Sequence, residues 1–235
     1  MILLMLFGLL CHSFYNVEII SVYAFFGLLL LALYRAKTWI LVILSIVLLL
    51  GVPRVAQVHF HNQEVAAESG LSEQVVNTQP QTNRAQPEHL TNPSFINSAK
   101  FNYTERLEAK LNYQFGFIGR GYVTFALFIL GLLVGRSRLL ESANLNKKKL
   151  LHLFSGFTVF TIAISTLQTL MPEQNIRIFF RAEGVHLPWT LVLYQTLSDL
   201  SLVTYSGALA SGFLALYYSN RFGRYLEVLS PYGRA

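Results

Sequence analysis

The chain has 235 residues, of which 53% are hydrophobic and only 13% are charged. Soluble domains carry about twice that charged fraction, so the composition excludes an ordinary water-soluble enzyme built around a single core. The net charge of +6 does not indicate a nucleic-acid partner, because many basic residues flank apolar segments as they do in membrane proteins. The single cysteine excludes an intramolecular disulfide and a cysteine-cluster metal site.

Six apolar segments predict membrane-spanning helices. A span needs about 20 predominantly apolar residues to cross a hydrocarbon core about 30 Å thick. The predicted spans cover residues 2–15, 17–34, 38–52, 117–135, 150–171 and 198–219. The sequence therefore predicts an all-α fold, a polytopic membrane helix bundle of about six transmembrane helices, with the lipid bilayer as a partner.

The predicted spans divide the chain into three parts. Residues 1–52 hold three spans, residues 53–116 form a long polar extracytoplasmic loop, and residues 117–235 hold the other three spans. Within the loop, residues 57–100 are rich in polar side chains and cannot bury enough apolar surface to fold, so we expect them to be mobile.

Two shorter stretches have their own character. The loop ends in apolar residues that recur every fourth position, which predicts an amphipathic helix. These residues are Tyr103, Leu107, Leu111 and Phe115. Residues 188–197, just before the last predicted span, are apolar and carry Trp189 and Tyr194, so we interpret them as an interfacial or re-entrant segment.

The basic residues predict the orientation, because cytoplasmic loops carry an excess of Lys and Arg. Three basic groups follow the second, fourth and sixth predicted spans. They consist of Arg35, Lys37, Arg136, Arg138, Lys147, Lys148, Lys149, Arg221 and Arg224. With six spans and both termini in the cytoplasm, all three groups lie on the cytoplasmic side.

Ionisable side chains inside membrane segments are costly and are therefore candidate functional groups. Asp199, the only aspartate in the chain, is either an interfacial residue favoured by a helix dipole or a proton-relay or substrate contact. His12, near the outer end of the first span, is either a hydrogen bonder between helices or a general base. We take both as candidate catalytic residues.

Three arginines are candidate substrate-binding residues. Arg120 lies between two glycines at the outer end of the fourth span, where it could bind a carboxylate or phosphate or extend to the membrane interface. Arg177 and Arg181 in the next outward loop admit the same two interpretations. In the six-span arrangement Arg120, His12 and Asp199 are expected to lie at a similar depth. We expect at least two of them in an outward-opening pocket between the first, fourth and sixth spans.

The sequence does not indicate a metal or a cofactor. A cluster of His59, His61, Glu64 and His89 has the residue types of metal ligands, but it falls in the segment predicted to be mobile and has no cysteine partner. We therefore expect no metal there, and we identify no cofactor.

Four short stretches resemble one bacterial family in order along the chain. Residues 6–12 read LFGLLCH, residues 20–29 read ISVYAFFGLL, residues 128–136 read FILGLLVGR and residues 226–235 read LEVLSPYGRA. These stretches are similar to the corresponding motifs of the YeiB-like membrane proteins, the family called domain of unknown function 418.

The resemblance implies a multi-span protein of the bacterial inner membrane. That family is distantly similar to transmembrane acyltransferases, including the heparan glucosaminide N-acetyltransferase group, which implies an acyl donor and an envelope acceptor as partners. An upstream Asp-x-x-Arg-Gly element and the Thr-Asn-Tyr part of the closing signature are absent, so we expect a fragment or a shortened relative. The alternatives from the residues alone are a small-molecule transporter and a non-catalytic scaffold.

Overall fold

A computed structural model describes residues 1–15, 18–69, 92, 94–138, 147–172 and 185–219. Of these residues, 84% are helical, and none of them lies in a strand. The all-α class predicted from the sequence is therefore confirmed. Arg177 and Arg181, and most of the stretch between residues 70 and 93, lie outside the described residues.

Nine α-helices and one π-helical segment make up the described fold. In chain order they are α1 (Ile2–Phe14), α2 (Ile20–Leu33), α3 (Thr38–Leu49), α4 (Val52–Ser69), α5 (Phe95–Phe101), the π-helical segment (Asn102–Arg106), α6 (Leu107–Phe115), α7 (Arg120–Arg136), α8 (Lys147–Thr169) and α9 (Trp189–Tyr217).

Each of the six apolar segments contains a helix, but the helices differ in length. By length and composition α8 and α9 can each cross a membrane. Two further pairs of helices are bent at a short break, namely α3 with α4 and α5–α6 with α7. If each pair forms one span, the number of candidate membrane spans is four. The helices α1 and α2 are apolar but short, at about 20 Å for the 13 residues of α1. The described helices thus supply two to four candidate spans.

Two glycines in the left-handed conformation form the bends of these pairs. Gly51, with φ of +68°, separates α3 from α4, and Gly119, with φ of +65°, precedes α7. The bend angles are 47° and 57°. Glycine adopts this conformation at little steric cost because it has no Cβ.

Helix α4 corrects one expectation from composition. Residues 57–100 were expected to be mobile, yet residues 57–69 belong to this helix, where Val58 and Asn62 are buried, and residues 95–100 belong to α5. The side chain of Asn62 donates to the carbonyl of Leu187 at 2.9 Å and accepts from its backbone N–H at 2.8 Å. Val58 packs with Leu187 and Leu191 in a small core. The polar composition predicted mobility, but this stretch is ordered because α4 buries one narrow face against the start of α9.

Helix α9 corrects a second expectation. Residues 189–197 do not form a separate interfacial segment, because they are the first turns of one continuous helix from Trp189 to Tyr217. Its 29 residues measure about 43 Å, more than the hydrocarbon core of a bilayer. Asp199 therefore lies about 15 Å from the start of this helix, instead of at the beginning of a span.

The long helices α8 and α9 pack through small and polar residues. An added Cβ at Gly207 would lie 3.0 Å from the ring of Phe157, so the two helices approach closely there. One turn away, the hydroxyl of Thr161 donates to that of Thr204 at 3.0 Å. Small residues and hydroxyl pairs are typical of helix contacts in membranes.

Basic side chains mark one end of the helical bundle. Arg136, at the end of α7, donates to the carbonyl of Ala36 at 2.8 Å and to that of Tyr34 in the α2–α3 turn. The ends of α2 and α7 therefore meet at one level, together with Arg35 and Lys37. The starts of α2 and α7 lie at the other end, where the candidate site is found.

Candidate functional site

A buried arginine, Arg54, joins α4, α9 and the turn before α7. Its side chain is only 2% exposed. The Nε donates to the carbonyl of Phe117 at 2.8 Å, Nη1 to the hydroxyl of Thr196 at 3.0 Å, and Nη2 to the carbonyl of Ile118 at 2.5 Å. Since a guanidinium presents its five donors in one fixed plane, these bonds fix its orientation.

Asp199 neutralises Arg54 and also faces a second arginine. Its Oδ2 accepts from Nη2 of Arg54 at 2.6 Å, and its Oδ1 accepts from Nη1 of Arg120 at 3.1 Å and from Nε2 of Gln195 at 3.4 Å. Asp199 is 1% exposed, whereas Arg120 is 34% exposed. One carboxylate therefore faces two guanidiniums, and the uncompensated positive charge lies on the exposed side, at Arg120.

The two bend glycines also border the guanidinium of Arg54. An added Cβ would lie 3.3 Å from Nη1 at Gly51 and 3.4 Å from Nη2 at Gly119. At Gly119 the added atom would in addition lie 2.9 Å from the ring of Tyr122. These glycines therefore both bend the helices and leave room for the buried arginine.

A pocket of about 530 Å³ opens beside Arg120, between the start of α2, the π-helical segment, α6 and the start of α7. Its charged lining consists of Glu18, Arg106, Lys110 and Arg120. The rest of the lining comprises Ile19, Val22, Tyr23, Ala109, Tyr113, Gln114 and Thr124. The volume falls in the range of pockets that hold small organic ligands.

Within this pocket Glu18 is already neutralised. Lys110 donates to its Oε2 at 2.5 Å, the hydroxyl of Ser21 donates to the same oxygen at 2.8 Å, and the backbone N–H of Ser21 donates to Oε1. Burial alone would raise the pKa of Glu18, but the hydrogen bonds from Lys110 and Ser21 outweigh burial and lower this pKa below its ordinary value of 4.5. Glu18 is therefore an anion at neutral pH.

The charged lining as a whole is positive. Lys110 balances Glu18, and Asp199 balances Arg54, which leaves Arg106 and Arg120 without a carboxylate of their own among the described residues. Arg106 lies over the ring of Phe101, with its guanidinium carbon 5.2 Å from the ring centroid. Such an arrangement favours an anionic ligand.

His12 lies apart from the Arg54–Asp199 pair, at the contact between α1 and the π-helical segment. Its Nε2 donates to the carbonyl of Asn102 at 3.0 Å, and its ring packs edge-on against Tyr103. The side chain is 1% exposed, and within the described part of the chain its Nδ1 is buried without a hydrogen-bond partner. His12 thus bonds one helix to another in this structure.

The structure brings two of the five candidate residues together. Arg120 and Asp199 form an ion pair. The pocket itself is not where it was expected, since it lies beside α2, α6 and α7, and its lining includes Arg120 but neither His12 nor Asp199. Arg177 and Arg181 fall outside the described residues.

The histidines considered as metal ligands take other partners. His61 donates from Nε2 to the carbonyl of Val185 at 3.0 Å, and His59 accepts from the side-chain amide of Gln63 at 3.2 Å. Among the described residues, no three His, Cys, Asp or Glu side chains form a group that could hold a metal ion. His89 lies in the stretch that is not described.

Sequence reasoning missed Arg54, Glu18 and Lys110. A signal was present for Arg54, because it follows an apolar segment within three residues of a glycine. An arginine at that position is costly in a membrane unless it is paired, and the lone Asp199 in another apolar segment was an available partner. Glu18 carried the same signal, since it lies between Val17 and Ile19 in the predicted span 17–34 and was passed over. Lys110 carried no signal, since it lies among ordinary polar residues of the predicted amphipathic helix.

Comparison with known proteins adds no relative. No family model matches the sequence, and neither a curated protein nor a solved structure matches it. The resemblance to the YeiB-like proteins therefore stays a prediction, and the function has to be argued from the site itself.

Proposed function

We propose that this chain is an integral membrane protein whose pocket binds the carboxylate or phosphate group of a small-molecule substrate, with Arg120 as the main contact. One observation carries the proposal: Arg120 shares a single carboxylate with Arg54, which is itself fully engaged. Among the described residues Arg120 uses one side-chain donor, toward Asp199, so the rest of its fork is available to a ligand.

Asp199 acts in this proposal as a positioning residue. Its Oδ1 holds Nη1 of Arg120 at 3.1 Å, while its Oδ2 is taken by Arg54. A carboxylate held by two guanidiniums and shielded from solvent is poorly placed to accept a proton from a substrate. We therefore assign it the orientation of Arg120 instead of general-base catalysis.

Acyl transfer, which the family resemblance implies, would need a base beside the bound substrate. His12 was the candidate, but its Nε2 is bonded to Asn102 and its ring does not line the pocket. A transport or scaffold role needs no base. We therefore propose ligand binding as the function of this pocket.

We further propose that the protein is a multi-pass protein of a bacterial inner membrane, with six spans and both termini in the cytoplasm. The support is the distribution of charge between the two ends of the bundle. The turn after α2 and the end of α7 are basic, at Arg35, Lys37 and Arg136, as cytoplasmic ends are. The pocket is at the opposite end, which faces outward in this arrangement.

Cysteine labelling tests this orientation. In a Cys11→Ala background, Ser94→Cys precedes α5 at the pocket end, and Ser137→Cys follows α7 at the basic end. In intact cells an impermeant maleimide should label Ser94→Cys and not Ser137→Cys, and both should react after lysis. Labelling of Ser137→Cys in intact cells would contradict the proposed orientation.

Thermal unfolding in a neutral detergent tests the binding proposal. Phosphate or acetate, compared with chloride at equal ionic strength, should stabilise the wild type, because a ligand present at a hundredfold its Kd contributes about 2.7 kcal/mol. The same anions should not stabilise Arg120→Gln. Arg35→Gln, which removes a positive charge at the other end of α2, serves as the matched control.

Two results would contradict the proposal. Equal stabilisation of the wild type and Arg120→Gln would show that the anions act elsewhere on the protein. An absence of stabilisation in the wild type by either anion, at concentrations that saturate ordinary arginine sites, would show that the pocket does not bind the group.

A further inference from the structure

The pocket changes character along its two bordering helices. On α7, Arg120 begins the helix, Thr124 lies one turn further in, and both line the pocket. On the other side Glu18 precedes α2, while Val22 and Tyr23 lie about one turn into it. Since both helices run inward from the same end, Glu18 and Arg120 lie at the mouth, and Val22 and Tyr23 lie deeper.

The apolar part of the pocket leads to the outer surface of the helices. Tyr23 lines the pocket and is about half exposed, and its ring lies 5.8 Å from that of Phe128, two turns into α7. Ile19, one turn before Tyr23, is also exposed. In the proposed six-span arrangement α2 lies in the membrane, and an exposed apolar side chain such as Tyr23 on it contacts the acyl chains of lipids.

From this arrangement we infer that the ligand is an anionic lipid, with its headgroup at Arg120 and Arg106 and its acyl chain along Val22 and Tyr23. The inference rests on the proposed function and names its substrate class. A pocket of about 530 Å³ is larger than one inorganic anion requires. An inorganic anion at Arg120 would not contact the apolar walls, whereas an alkyl chain would cover them.

The charges of the mouth suit a headgroup at the membrane surface. Arg120 offers a fork that can bind two oxygens of a phosphate or carboxylate. Arg106 is exposed and stacked on Phe101, so its guanidinium is already ordered beside the pocket. The Glu18–Lys110 pair lines the same pocket and adds no net charge. A neutral or cationic headgroup would leave both arginines uncompensated.

Binding of alkyl phosphates of different length, measured in neutral detergent, tests the inference. The probes are inorganic phosphate, octyl phosphate, dodecyl phosphate and uncharged dodecanol. Each methylene that becomes buried should tighten binding about fourfold, so dodecyl phosphate should bind the wild type at least tenfold more tightly than octyl phosphate. Dodecanol should not compete with it.

Variants test the contact with the alkyl chain and the contact with the headgroup separately. Ala109→Trp places a large ring in the pocket, and the ratio of dodecyl to octyl phosphate affinity should fall below about threefold. Arg120→Gln should weaken every phosphate probe, and Arg106→Gln provides a second headgroup variant outside the buried ion pairs. Arg35→Gln, at the other end of α2, should change neither the affinity nor the chain-length ratio.

The outcomes distinguish the inference from the proposed function. If inorganic phosphate binds through Arg120 but the dodecyl and octyl probes bind equally, the lipid inference is wrong and the anion site remains. A chain-length ratio that is unchanged in Ala109→Trp also overturns the inference, because the chain then lies elsewhere. If no phosphate probe depends on Arg120 or Arg106, the proposed function itself fails.

Discussion

Replacing Asp199 by asparagine should destabilise the protein strongly, because it leaves Arg54 buried without an opposite charge. The two side chains are 2% and 1% exposed and meet at 2.6 Å. Breaking a buried ion pair by removing one partner costs roughly 3–5 kcal/mol. The partners that remain for Arg54 are uncharged, namely two carbonyls and the hydroxyl of Thr196.

The same structure assigns a much smaller cost to Arg120→Gln. Arg120 contacts the same carboxylate at 3.1 Å, but its side chain is 34% exposed and can be solvated when the pair is broken. Exposed pairs contribute about 0–1 kcal/mol. Asp199→Asn removes the carboxylate from both arginines, whereas Arg120→Gln breaks only the exposed pair. The difference in their unfolding free energies therefore reports mainly the buried pair with Arg54.

Thermal unfolding of the purified variants, followed by the fraction that stays monodisperse in detergent, measures this difference. With about 2–4 °C per kcal/mol for a chain of this size, Asp199→Asn should lower the Tm by roughly 6–20 °C, and Arg120→Gln by a few degrees at most. If Asp199→Asn unfolds no earlier than Arg120→Gln, then the buried pair does not stabilise the fold.

Three further outcomes are expected. Gly119→Ala should lower the free energy of unfolding by about 1–2 kcal/mol for the left-handed backbone alone, and by more because the new Cβ makes a close contact. Gly131→Ala is the control, since Gly131 has open space around it. It should be neutral or stabilising in the same unfolding assay. Folding lowers the pKa of Glu18, so the stability that its ionised carboxylate contributes is present above pH 4.5 and is lost as the pH falls through the folded pKa. The Tm of the wild type should therefore fall more between pH 6 and pH 3 than the Tm of Glu18→Gln. Equal losses would contradict the pairing with Lys110. Gly207→Leu should separate α8 from α9 and lower the Tm by several degrees, while an unchanged Tm would show that the close contact in the structure is not required.

The positions of the long helices could be predicted from the sequence because hydrophobicity is concentrated in blocks. Each of the six apolar blocks contains a helix, and the ends of α7 agree with the predicted segment within a few residues. The number of spans could not be predicted in the same way. A block of 12–14 apolar residues, as in α2 and α3, makes a helix whether or not it crosses a bilayer alone.

Helix α4 and the undivided α9 could not be predicted because tertiary contacts decide them. The composition of residues 57–69 is polar, and only the pairing of Asn62 with the backbone at Leu187 shows why this stretch orders. Residues 189–197 are apolar with an aromatic start, which is typical both of an interfacial segment and of the first turns of a long helix. Single-sequence periodicity does not separate those two cases.

The residues of the candidate site that could be predicted are the charged residues within or beside apolar segments of the sequence. Asp199 and Arg120 were recognised on that basis, and the structure places them in contact. Arg54 was missed because it was counted as part of a polar loop, although its side chain is as fully buried as that of Asp199. The pocket could not be predicted, since it depends on the packing of α6, a helix from the polar region, against α2 and α7.

The ion pair between Arg54 and Asp199 joins residues separated by 145 positions in the chain, which constrains how the protein is made. A ribosome adds roughly 5–20 residues per second, so Arg54 emerges on the order of 10 s before its partner has been synthesised. During that interval Arg54 lacks the carboxylate with which it pairs in the final fold. The contact between α4 and α9 can therefore form only after nearly the whole chain has been synthesised.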